Sequence, residues 1–137
     1  MRLFRLIYCS RAKKVLGFKD VKELATSANE KNLDRDITGI LLYNNNYFFQ
    51  CIEGSQENIN DLYLKISGDE RHGAIRLLSY DQIRARLFPE WNMGLIQTEP
   101  TKDLIRRYFE EEKFVPTLLS PSQSENFLQD LKILFFD

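Results

Sequence analysis

Residues 36–54 read DITGILLYNNNYFFQCIEG, and their reading decides the fold. Two runs rich in apolar and aromatic residues flank three asparagines, Asn44, Asn45 and Asn46. Asparagine tolerates left-handed backbone angles, so the stretch predicts a β-hairpin. Strand side chains alternate between faces. In the second run Tyr47, Phe49, Cys51 and Glu53 point one way, and Phe48, Gln50 and Ile52 the other. Gln50 therefore shares a face with two large apolar side chains. A primary amide buried there carries several hydrogen-bonding sites, and leaving them empty is costly. Gln50 needs a partner.

The flanking segments supply the rest of the sheet. RLFRLIYCS (2–10) alternates Phe4, Leu6 and Tyr8 against Leu3, Arg5, Ile7 and Cys9, a strand pattern. KDVKELATSANEKN (19–32) has the i, i+3, i+4, i+7 stripe Val21, Leu24, Ala25 and Ala28, which predicts an amphipathic helix with Asn32 as its C-cap. Past the hairpin, SQENINDLYLKIS (55–67) predicts a second helix, capped by Ser55, with the stripe Ile59, Leu62, Tyr63 and Ile66. GDERHG (68–73) reads as a polar turn and AIRLLSYDQI (74–83) as a fourth strand.

The order β-α-β-β-α-β is the ferredoxin-like α+β plan, a four-stranded antiparallel sheet with both helices on one face. Its first and third strands are central neighbours, which would set Tyr8 beside Gln50 on the floor of a cleft. FPEWNMGLIQT (88–98) reads as a loop and a fifth strand. TKDLIRRYFEEE (101–112) and SQSENFLQDLKILFF (122–136) predict two C-terminal helices, the second opened by a capping box at Ser122 and Glu125. They are the natural cover for the sheet's other face. The expected organisation is a core over 1–98 and a helical extension over 99–137, packed on the opposite face of the sheet.

Composition narrows the function. A chain of 137 residues, 43% hydrophobic and 28% charged, suits one domain. A net charge of −1 gives no broad drive toward nucleic acid or anionic membrane, and direct nucleic-acid binding is not expected. No apolar run is long enough to span a bilayer. The opening MRLFRLIYCS lacks the clean apolar region and cleavage site of a signal peptide. Two cysteines, Cys9 and Cys51, and one histidine, His72, make no metal-ligand cluster, and the reading is a cytoplasmic protein with buried free thiols. A G-x-S-x-G nucleophile and a P-loop are both missing.

The polar set that calls for an explanation is Tyr8, Asn32 and Gln50. Taken singly, Tyr8 and Gln50 satisfy each other and Asn32 ends a helix. Together they match the edge of a flat heterocycle bearing a carbonyl and a ring NH, with Leu24 and Ile66 placed to clamp its faces.

The segments RLIYCS with Tyr8, Asn32 ahead of DITGILLY, FFQCIEG with Gln50, DERH (69–72) and WNM (91–93) occur here in one order. In that order they resemble the BLUF domain family, blue-light sensors that use flavin. The resemblance covers the ferredoxin-like core and fifth strand, and the two late helices resemble the short, stand-alone members. It implies FAD held noncovalently between the two helices, with its ring edge at Gln50 and Asn32 and with Tyr8 behind Gln50. It implies that blue light draws an electron and a proton from Tyr8 by way of Gln50. The radical pair then recombines with Gln50 rearranged, by rotation or tautomerisation, and a new hydrogen bond to the flavin C4 carbonyl shifts the absorption to the red.

The resemblance also implies cofactor contacts from Asp69, Arg71 and His72 toward the ribityl and phosphate end, and from Lys65 as a phosphate-pairing cation. Trp91 and Met93 match a pair that relays the signal. Ala28 stands where related members often carry serine. The implied protein is a photoreceptor and not an enzyme, acting through contacts with an unidentified downstream protein. Leu118, Leu119, Phe135 and Phe136 offer apolar surface for a homo-oligomer. Two other readings compete. A small acylphosphatase-like hydrolase without flavin would need a glycine-rich anion loop, which SRAKKVLG (10–17) does not provide. A flavin oxidoreductase would need a second substrate site or a redox cysteine motif.

Overall fold

The hairpin forms around two residues. Asn45 and Asn46 take φ of 51° and 63°, and Asn44 and Tyr47 close the ladder. Consecutive left-handed residues are what a two-residue type I′ turn requires. The structure, a computed structural model, describes residues 2–136. Its strands are β1 (Leu3–Ala12), β2 (Thr38–Asn44), β3 (Tyr47–Gly54), β4 (His72–Ile83) and β5 (Gly94–Ile96), and its α-helices are α1 (Phe18–Asp34), α2 (Gln56–Ser67), α3 (Lys102–Tyr108) and α4 (Pro121–Phe136).

The sheet order is β4-β1-β3-β2-β5. β1 lies between β3 and β4, antiparallel to both, and Tyr8 pairs directly with Gln50. The ferredoxin-like plan holds. The fifth strand is three residues long and pairs parallel to β2, so the sheet is mixed. What brings it there is Gly39, whose N–H donates to the Trp91 carbonyl at 2.8 Å. Gly39 sits at φ 156°, and a Cβ there would lie 1.9 Å from the Cys51 carbonyl oxygen. Only glycine lets β2 run this close to β3 at that point.

Strand alternation gives the sheet two cores. On one face Leu6, Tyr8, Leu41, Phe48 and Ile52 meet Val21 and Ala25 of α1 and Ile59 of α2. On the other, Ile7, Cys9, Ile40, Leu42, Phe49 and Cys51 meet Leu104, Ile105, Phe127, Leu128 and Leu131 of α3 and α4.

Several local expectations need correction. Asn32 does not cap α1. The helix runs on to Asp34, with Arg35 as C-cap, because the Asn32 carbonyl accepts from the N–H groups of Arg35 and Ile37 at 3.1 and 3.0 Å while its side chain turns inward. His72 and Gly73 leave the expected turn and begin β4. The helix expected over 101–112 stops at Tyr108. Phe109 turns extended, and Glu111 and Glu112 take left-handed angles. That reversal brings Phe109 within 5.3 Å of Phe114 and 6.0 Å of Phe127, ring to ring, in the core.

The capping box of α4 belongs to Ser120 and Gln123, not to Ser122 and Glu125. Gln123 N–H donates to Ser120 Oγ at 3.1 Å and Ser120 N–H to Gln123 Oε1 at 2.9 Å. Glu125 instead accepts from Arg5 at 3.2 Å. Of the residues read as self-association surface, Leu118 is exposed, Leu119 is buried and Phe135 packs on the core. The side chain of Phe136 lies outside the described residues.

Candidate flavin site

Between α1, α2 and the sheet lies a cleft of about 460 Å3. Tyr8, Leu24, Asn32, Gln50, Lys65, Ile66, Asp69, Arg71 and His72, the expected cofactor set, all line it. At its floor Tyr8, fully buried, donates its hydroxyl hydrogen to Gln50 Oε1. Burial, reinforced by the neighbouring Tyr63, pushes the Tyr8 pKa far above its usual value, so the phenol stays protonated. The other end of the amide, Gln50 Nε2, points at Met93 Sδ, 3.4 Å away. Gln50 thus accepts from a tyrosine and donates to a soft thioether.

Asn32 is 1% exposed. Its Nδ2 donates to the Asn92 carbonyl at 2.8 Å, and the Asn92 side chain donates to the Ile37 carbonyl at 2.9 Å. Asn32 and Gln50 therefore touch neighbouring residues of one segment, Asn92 and Met93. The two expected relay residues are separated. Met93 belongs to the cleft-side core. Trp91 packs with the core on the far face, and its ring lies where a Cβ on Gly94 would fall, 1.5 Å from Trp91 Cε3.

His72 does not sit in a solvated turn. Its Nδ1 is 2.7 Å from Ser10 Oγ, and its ring lies 4.8 Å from Phe48 and 6.3 Å from Tyr8. Burial lowers its pKa from the ordinary 6.5, with Asp69 acting against that and Arg71 with it. Asp69 and Arg71 form a bidentate pair through Nε and Nη2 at 3.0 and 2.5 Å. The Arg71 hydrogen bond holds the Asp69 carboxyl down at about 2.

Sequence reasoning missed three features. Lys31 and Arg35 line the cleft, and helical spacing from Leu24 and Ala28 was the signal that would have found them. Asn92 had no signal, since its role depends on a loop path. Neither had Glu53, which is fully buried and accepts from Arg5, Thr38 and the N–H groups of Leu87 and Phe88 at 3.1, 3.4, 2.9 and 3.1 Å. Glu53 thereby pins the start of the segment that ends at Met93. Cys9 and Cys51 are free and buried. Burial pushes Cys9 up to about 11 and Cys51 well above its usual value, so neither thiol is a ready nucleophile.

The donor set fits a flavin. Leu24, Leu62, Ile66 and Phe48 offer apolar walls, the amides of Gln50 and Asn32 a polar floor, and Lys31, Arg35, Lys65 and Arg71 a cationic mouth. A slot of this volume is ordinary for a small-molecule site. Fold and cleft define a class, a ferredoxin-like domain whose helix-side cleft has a Tyr–Gln pair at its floor and cationic side chains around it.

The comparisons with known proteins agree. The family model "BLUF: Sensors of blue-light using FAD" matches residues 3–94, and the chain belongs to this family. Its cofactor is FAD. The chain is similar to "Blue light- and temperature-regulated antirepressor BluF" of Escherichia coli (strain K12), 34% identical over 111 residues, which is 80% of this chain and 28% of that protein. It is similar also to "Photoactivated adenylate cyclase subunit beta" of Euglena longa, 32% identical over 77% of this chain and 12% of that protein. The chain thus spans under a third of the length of these curated relatives. Solved structures of nearly its own length are similar as well. BlsA in its photo-activated state has a TM-score of 0.83 at 32% identity, covering 96% of this chain and 95% of that one. BlrB in its dark state has 0.81 at 31%, covering 97% and 96%.

Proposed function

We propose that this chain is a blue-light receptor whose photochemical pair is Tyr8 and Gln50 and whose output is a change in protein–protein contacts. The observation that carries the reading is the buried bond from the Tyr8 hydroxyl to Gln50 Oε1 on the floor of the cleft. Leu24 and Ile66 would clamp the cofactor's ring, Gln50 and Asn32 would meet its polar edge, and Lys65, Asp69 and Arg71 would serve its ribityl and phosphate end. His72 packs behind, against Tyr8 and Phe48. Bound there, FAD supplies the blue-light absorption and, once excited, an acceptor for one electron and one proton.

Tyr8 is the donor of both. Its phenol keeps its proton in the dark, so the electron would leave with the proton by way of Gln50, the group in hydrogen-bond reach, and both would return to Tyr8, so that only the hydrogen bonds of Gln50 end changed. The two ends of Gln50 are chemically opposite. Rotation or tautomerisation changes what Gln50 offers Tyr8, the cofactor and Met93 together, with little backbone movement. The weakest of these bonds is the one to Met93 Sδ. The segment from Asn92 to Gly94 is therefore the first to respond, and Trp91, two residues from Met93, carries the change to the α3–α4 face.

In this reading residues 1–98 hold the cofactor and residues 99–137 present the output surface. The chain turns over no substrate of its own, works in the cytoplasm and acts on a second copy of itself or another protein. No described helix is long and apolar enough to cross a membrane. The test is the visible absorption spectrum of purified protein, in darkness and after blue light. A flavin spectrum with a small red shift that reverses in darkness is expected. Failure to take up flavin on reconstitution would overturn the proposal.

A further inference from the structure

Arg5 stands between two carboxylates. It faces Glu53 directly across the β1–β3 ladder, and its Nη1 donates to Glu53 Oε2 at 3.1 Å. Its Nε donates to Glu125 of α4, 3.2 and 3.4 Å from the two carboxylate oxygens. The Glu53 side chain is fully buried and that of Arg5 nearly so, while Glu125 is partly exposed. Phe127, Leu128 and Leu131 of the same helix pack in the far core, and Asp130 accepts from Tyr108 of α3 at 2.6 Å. Among the described residues, Arg5–Glu125 is the ion pair that joins α4 to the sheet.

The same Glu53 carboxylate holds the loop that follows β4. Leu87 N–H donates to Oε2 at 2.9 Å, the oxygen that Arg5 also uses, and Phe88 N–H donates to Oε1 at 3.1 Å. From Phe88 the loop is held at successive points up to Met93. Trp91 N–H donates to the Phe88 carbonyl at 3.3 Å, the Trp91 carbonyl accepts from Gly39, and the Asn92 side chain donates to the Ile37 carbonyl. Arg86, just ahead, donates to Thr38 Oγ1 and to the carbonyls of Glu53 and Asp36 at 2.9, 3.1 and 2.9 Å. Met93 and α4 belong to the cores on opposite faces of the sheet. Two side chains, Arg5 and Glu53, and a short run of loop join them.

That junction is a competition for one carboxylate. A guanidinium binds a carboxylate best when two of its N–H groups grip both oxygens. Arg5 does not grip Glu53 so, because its Nε is committed to Glu125 and Nη1 reaches one Glu53 oxygen. The N–H groups of Leu87 and Phe88 take the remaining capacity. We propose that Arg5 is a positioning residue for the segment 87–93 and that Glu125 of α4 sets its hold. With Glu125 in place, the Glu53 carboxylate is left to the loop. Without it, Arg5 turns both prongs on Glu53 and displaces the two N–H groups. The docking of α4 and the grip on the segment that ends at Met93 are therefore one equilibrium. This inference rests on the reading of Met93 as the residue that answers Gln50, and it adds a route to α4 besides Trp91. Movement of the segment frees Glu53, Arg5 closes on it, and Glu125 is released together with the start of α4.

The experiment is amide hydrogen exchange of the FAD-loaded chain, in darkness and under blue light, with recovery of the dark spectrum timed alongside. Glu125→Ala removes the carboxylate from a partly exposed helix position. In darkness it should speed exchange at Leu87 and Phe88 about three- to tenfold. It should shorten dark recovery by about the same factor, since a looser segment resists the return of Gln50 less. In the wild-type chain, light should speed exchange around Glu125, and Glu125→Ala should abolish that light–dark difference. Arg5→Lys removes the fork, so adding Glu125→Ala to it should change Leu87 and Phe88 no further. Tyr108→Phe loosens α4 from α3 without touching Arg5 and should leave both amides as they are. Exchange at Leu87 and Phe88 unmoved by Glu125→Ala, or raised equally in the Arg5→Lys background, overturns the inference while leaving Tyr8 and Gln50 as the photochemical pair. A wild-type chain that binds FAD but shows no red shift overturns the photoreceptor reading and this inference with it.

Discussion

Replacing Tyr8 by phenylalanine removes one oxygen atom and tests the photochemical pair. The ring contacts survive, since Tyr63 and His72 meet the Tyr8 ring edge-on at 5.7 and 6.3 Å. What goes is the bond to Gln50 Oε1. A neutral hydrogen bond contributes about 1 kcal/mol net, and an acceptor left fully unsatisfied costs up to about 3 kcal/mol. Gln50 lies on a cleft wall and is 7% exposed, so its oxygen finds a partner there. The lower figure applies. The variant should fold, with a Tm lower by about 2–6 °C. Its photochemistry should be absent, because a phenyl ring has no dissociable proton and gives up an electron far less readily. Dark and illuminated absorption spectra of the FAD-loaded variant read the second effect, and urea unfolding reads the first. A reversible red shift at wild-type yield would show that Tyr8 is not the donor. A stability loss of about 3 kcal/mol would show that the Gln50 oxygen has no other partner, against the cleft geometry.

Gln50→Leu should keep flavin bound, since the pocket stays filled, but lose the reversible red shift; retention of the normal shift in the same spectra would remove Gln50 as the switch. Glu53→Ala takes the carboxylate from under Arg5 and two loop N–H groups, and buried ion pairs broken on one side cost about 3–5 kcal/mol. Chemical denaturation measures that loss, and a change below about 1 kcal/mol would mean the network is not holding the segment before Met93. Acid should act in two windows. The His72 pKa is lowered on folding, so the unfolded chain takes up the proton first and stability falls as pH drops through 6.5. The Asp69 pair with Arg71 adds stability above 3.8 that is lost as pH falls toward about 2. Unfolding midpoints measured across pH check both, and His72→Phe should flatten the upper window.

Local rules went far where the signal was periodic. Alternation in RLFRLIYCS and YFFQCIEG predicted which side chains share a face, and the hairpin asparagines set the register of β2 on β3. The same rules failed where a distant contact outweighed them. Phe109 broke its helix to reach the ring cluster of Phe114 and Phe127. The place of Asn32 near a helix end is local information and suggests a cap, whereas its bond to the Asn92 carbonyl joins residues 60 apart.

The sequence by itself determined the order of strands and helices, the two-faced sheet, and the polar residues that had to share a cleft, because periodicity and turn chemistry act between neighbours along the chain. Tertiary structure alone decided the parallel pairing of β5, the placing of Met93 beneath Gln50 with Trp91 on the far face, and the anchoring of that segment by Glu53, Gly39 and Asn32. Each of these depends on which backbone groups of a loop without regular structure meet a partner, and buried N–H and C=O groups find those partners only once the core is assembled.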